Sequence, residues 1–67
     1  MTSKILQSYK RIIENTERNV QSGEYLNPKR IIQDIHRELS DLVLLELVKE
    51  EEVQNFRERL NDLLKLV

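Results

Sequence analysis

The sequence predicts an all-α protein, a small three-helix bundle, on two observations. The only glycine is Gly23 and the only proline is Pro28. They bracket a single loop, whereas strands and hairpins need turn residues at short intervals. Outside that loop, apolar residues recur at spacings of three and four along the whole chain, the period of an amphipathic helix. Sixty-seven residues make one domain at most, so 1–67 reads as a single helical unit.

The first helix is expected over about 3–21, with Thr2 or Ser3 as its N-cap. Leu6, Tyr9, Ile13, Thr16 and Val20 form the inward stripe, and Ile5 and Ile12 widen it. Glu14 and Arg18 stand four apart in the favourable order on the opposite face. Gly23 supplies the left-handed conformation that ends a helix, and 22–27 is loop.

The second helix is expected over about 28–46. Asn27 is a preferred cap, and the following Pro28 biases it towards extended backbone. Pro28 falls at the first helical position, where a missing N–H costs nothing. Leu26 and Ile31 are spaced as a hydrophobic staple across that cap. Ile32, Ile35, Leu39 and Leu42 then point inward.

The third helix is expected over about 49–66, with Val53, Phe56, Leu60, Leu63 and Val67 as its stripe. Between the last two helices the pattern is ambiguous. Leu42 to Leu45 are apolar on every side, Leu47 and Val48 follow Glu46, and no Gly, Ser or Asn marks a turn. In one arrangement a tight turn uses Leu47 and Val48 as inward anchors. Glu50, Glu51 and Glu52 then sit in a first helical turn, where the helix dipole favours anions. The alternative is a helical hairpin whose C-terminal helix runs unbroken from Pro28 for about 40 residues, because the heptad register continues through Glu46 and Lys49 as a polar layer.

Composition narrows the function. Charged residues are 34% of the chain and balanced to a net charge of −1, whereas a general nucleic-acid binder is normally basic. No apolar run approaches the length of a membrane span, and the N-terminus lacks the apolar core of a secretory signal. A cytoplasmic location is the resulting expectation. With no cysteine and one histidine, disulfides and Cys- or His-ligated metal sites are not expected. A chain this short buries only about 60% of the surface its unfolded form exposes, so self-association or docking on a partner is the expected extra support.

Catalytic groups are sparse. His36 has no nucleophile or orienting group at a helical spacing, and reads as a boundary histidine half covered by the next helix. The carboxylate pairs Asp34/Glu38 and Glu58/Asp62 read as solvated faces, and no phosphate loop, calcium loop or zinc motif occurs. No enzyme activity, cofactor or small-molecule substrate is therefore expected. Lys29 and Arg30 oppose the dipole at the start of the second helix, and a phosphate or acidic partner could meet them there. Lys10, Arg11 and Arg18 add a basic strip on the first helix, and Arg57 and Arg59 another on the last. Interleaved carboxylates favour salt-bridge lacing of solvent faces for both strips.

The apolar surplus is more than one narrow core can cover, and surplus of this kind marks an interface. Leu42, Leu44, Leu45, Leu47, Val48 and Leu64 are the candidate contact residues, for a homodimer or a protein partner. The expected function is a small non-enzymatic protein–protein interaction module, an adaptor, inhibitor or regulatory subunit. The alternative is a dimeric DNA- or RNA-binding regulator presenting Lys10, Arg11, Arg18, Lys29 and Arg30.

Overall fold

Local chemistry at each chain end of each helix fixes the element order. The computed structural model describes residues 3–67. Its helices are α1 (Lys4–Gln21), α2 (Pro28–Leu44) and α3 (Glu50–Leu64). Ser3 caps α1, its Oγ accepting from the Ile5 N–H at 3.1 Å. Asn27 caps α2 in the same way, its Oδ1 accepting from the Arg30 N–H at 3.2 Å, with Pro28 at the first helical position. At α3, Glu52 reaches back to accept from the Lys49 N–H at 2.8 Å, one half of a capping box. A lysine side chain has no acceptor to make the other half. Glu50, Glu51 and Glu52 fill the first turn of α3, where they complement the dipole.

Both interhelical connections begin with the same backbone motif. After α1, the Glu24 N–H bonds the Asn19 carbonyl at 2.9 Å and the Gly23 N–H bonds that of Val20 at 3.3 Å, with Gly23 at φ 72°. After α2, the Leu47 N–H bonds the Leu42 carbonyl and the Glu46 N–H that of Val43, both at 3.0 Å. Each is a Schellman closure, which satisfies carbonyls that a helix end leaves unpaired. In the second, the left-handed residue is Glu46, at φ 61°.

This turn decides between the two arrangements expected from sequence. A continuous 40-residue helix would span roughly 60 Å, and the longest extent of the molecule is 33 Å. The long-helix alternative is therefore overturned, and the fold is three helices. The turn also ends α2 at Leu44, two residues before the expected limit, because Glu46 leaves helical φ. At the other end, α3 stops at Leu64 rather than 66, and Leu66 and Val67 are exposed. The expected staple is absent too. Leu26 is fully exposed, while its neighbour Tyr25 is half-buried and accepts a hydrogen bond from Asn19 Nδ2 at 3.0 Å.

The core is contributed unequally. Ile13 comes from α1; Ile32, Ile35 and Leu39 from α2; Val48 from the turn; and Val53, Leu60 and Leu63 from α3. Helical spacing of three and four places each set on one face, as the apolar pattern implies. Thr16 is also buried, its hydroxyl donating to the Ile12 carbonyl at 2.7 Å. Helix α3 packs against both other helices, whereas α1 and α2 touch each other far less. Polar contacts tie the same seams. Arg59 grips Glu17 of α1 through two guanidinium nitrogens, a fork geometry with both strength and direction. Arg57 reaches Ser40 of α2 at 3.0 Å and Glu50 at 2.9 Å.

Candidate functional site

Two surfaces stand out once the core is assigned: an apolar tip at the α2–α3 turn and a groove between α1 and α2. At the tip, the Schellman closure turns the chain sharply within five residues, and only Val48 among them reaches the core. Leu44, Leu45 and Leu47 are left 81%, 67% and 54% exposed. The expectation that Leu47 and Val48 both anchor inward is thus half right. With Glu46 left-handed, the Leu47 side chain stays outside while Val48 enters the core.

The six apolar candidates therefore do not form one surface. Leu44, Leu45 and Leu47 are together at the tip. Leu42 is half-buried against the core, and Val48, being buried, is a core residue. Leu64 is half-buried at the far end of α3. Charged groups frame the tip: Asp41, Glu46, Lys49, Glu50 and Glu51 are all exposed. An apolar centre with a polar rim is the usual layout of a protein contact.

The groove was not visible as a site in the sequence. Its volume is about 410 Å³, and its apolar floor is made by Ile12, Ile31 and Ile35. The α1 side adds Asn15, Thr16 and Asn19, all uncharged, and the α2 side adds Asp34 and Glu38. Asp41, three residues beyond Glu38, continues that acidic line along α2. The three carboxylates differ in their partners. Asp34 pairs with Arg37 at 3.1 Å and with Arg30 at 3.6 Å. Glu38 accepts only a long bond from the Tyr9 hydroxyl, at 3.4 Å. Among the described residues neither Glu38 nor Asp41 has a cationic partner. Their field shows at Tyr9, whose pKa is raised by burial first, then by Glu38 and Asp41.

The basic candidates are not gathered. Arg11 and Arg18 stand two turns apart on α1, beside Glu14 and Asn15 at a shallow depression of about 220 Å³. Among the described residues Arg18 and Glu14 form no ion pair. Lys10 adjoins Tyr9, level with the C-terminal half of α2. Lys29 and Arg30 are exposed at the opposite end of α2, where Arg30 is engaged by Asp34.

His36 sits half-buried at the α2–α3 seam. Its pKa is lowered from 6.5, by burial first and then by the Arg57 guanidinium, with the nearby Asn61 side chain opposing the shift. No helix is long and apolar enough to cross a membrane among the described residues. No protein family matches this chain, and no curated protein or solved structure matches it either.

Proposed function

We propose that this protein is a non-catalytic protein-interaction module, an adaptor, inhibitor or regulatory subunit, that self-associates through the leucine tip of the α2–α3 turn. The observation that carries this reading is the exposure of Leu44, Leu45 and Leu47 on a backbone held by its own hydrogen bonds. Three adjacent leucines left in water cost free energy that burial against a second surface recovers, at about 25 cal/mol per Å² of apolar area. The rim of charges around them keeps the free chain from indiscriminate association. A two-fold contact places the same patch of each copy against the other, so one apolar patch suffices.

Sedimentation velocity across a wide concentration range tests the reading. The wild-type chain is expected to sediment as a dimer, and Leu45→Glu as a monomer. Because Leu45 is outside the core, the variant keeps its helical circular dichroism, which separates loss of contact from loss of fold. A wild-type chain that remains monomeric at the highest concentration, or a Leu45→Glu chain that remains dimeric, rejects self-association through the tip.

A further inference from the structure

We propose that the α1–α2 groove is a docking site for a basic amphipathic helix of another protein, seated as the fourth helix of the bundle. The packing asymmetry is the first reason. Helix α3 serves both neighbours, while α1 and α2 stand apart from each other, leaving Ile12 40% exposed in mid-helix. A helix laid over the gap inserts a ridge of apolar side chains, spaced three and four apart, against Ile12, Ile31 and Ile35. The volume of about 410 Å³ accommodates such a ridge rather than a whole helix, so the incoming axis rides above the groove.

Charge gives the second reason, and sets the chemistry of the partner. The α2 wall carries Glu38, and Asp41 stands three residues beyond it on the same helix; both are exposed and without cationic partners among the described residues. The α1 wall opposite offers the amides of Asn15 and Asn19 and no charge. A helix with lysine or arginine along one flank of its apolar ridge matches both walls, and the reverse charge is repelled by one of them. Asp34 adds little to this, because Arg30 and Arg37 already engage it.

A second copy of this chain is a poor occupant. Its exposed large apolar residues are Leu26, Leu44, Leu45, Leu47, Leu66 and Val67 at helix ends or in loops, with Ile12 alone in mid-helix. Among the described residues no helix presents an outward apolar ridge to place in another copy's groove. The inference stands on the groove and is independent of tip self-association.

The test uses the full chain and two designed peptides, each about five helical turns long. Both carry the same leucine ridge; one has lysines along one flank, the other glutamates. Fluorescence polarisation is expected to show the lysine peptide binding at least about tenfold more tightly, with binding weakened by salt. Amide shift changes are expected at Ile12, Asn15, Asn19 and Ile31. The variant Glu38→Lys, at an exposed groove position outside the rim of the tip, is expected to fold normally and to abolish the preference. Ile12→Glu is expected to weaken both peptides. Failure of both peptides to bind, equal binding, or a preference that survives the charge reversal overturns the proposal. Shift changes confined to Leu44, Leu45 and Leu47 also overturn it, since they place the peptide on the tip. So does a loss of self-association in the charge-reversal variant, which makes the occupant a second copy.

Discussion

Glu46 is held where its side chain is least suited to be. A left-handed conformation costs a residue with a Cβ roughly 1–2 kcal/mol, and the first connection of the chain spends its single glycine on the same task at Gly23. The second connection has no glycine, so two backbone hydrogen bonds and the burial of Val48 hold Glu46 in place. Glu46→Gly relieves the strain at a modest entropic cost in the unfolded chain. The expected result is a gain of about 0.5–1 kcal/mol, read as a higher urea midpoint with an unchanged slope. A decrease in midpoint would show that the Glu46 side chain contributes more than its backbone costs. The same residue explains a gap in what the sequence conveys. Turn signals are residue types that tolerate positive φ, and a turn carried by glutamate has none.

At the level of elements, the seam between α2 and α3 carries a titration that can be isolated. His36 is the one histidine of the chain, so it alone among the side chains is expected to change charge between about pH 5 and pH 7. Burial and Arg57 hold its folded-state pKa below 6.5. On acidification the unfolded chain therefore takes up its proton first. Stability rises with pH between the folded pKa and 6.5, and is lost as pH falls through that window. Thermal unfolding is expected to show this decline in the wild type and its absence in His36→Gln. A parallel decline in both would assign it to carboxylates instead. The elements themselves were largely legible. Asn27–Pro28, Gly23 and the stripes of Ile13, Ile32, Leu39, Val53 and Leu60 are local signals, and local chemistry produced what they imply. The groove was not legible in the same way. Ile12 and Ile31 appear in the sequence as a wider stripe and a staple, and only the relative placement of α1 and α2 turns them into one floor. An acidic line at Asp34, Glu38 and Asp41 was the available signal, and taken two at a time it reads as solvated helix surface.

On the scale of the whole molecule, the unequal core has a consequence for motion. Ile13 is the only residue that α1 places in the buried apolar core, against three each from α2 and α3, and α1 is held chiefly by α3 and the Arg59–Glu17 fork. Regions with few buried apolar contacts open at lower free energy than the rest. Native-state hydrogen exchange is expected to find the α1 amides released together, through an opening smaller than global unfolding. The α2 and α3 amides should be released only at the global limit. Uniform exchange across all three helices would contradict that partition. Time is the quantity this adds to the picture. The α2–α3 hairpin, joined by a five-residue turn and carrying most of the core, persists as a unit. With exchange partitioned in that way, the first helix would leave and return against it, and any guest lying between α1 and α2 would slow that breathing and lengthen the life of the native state.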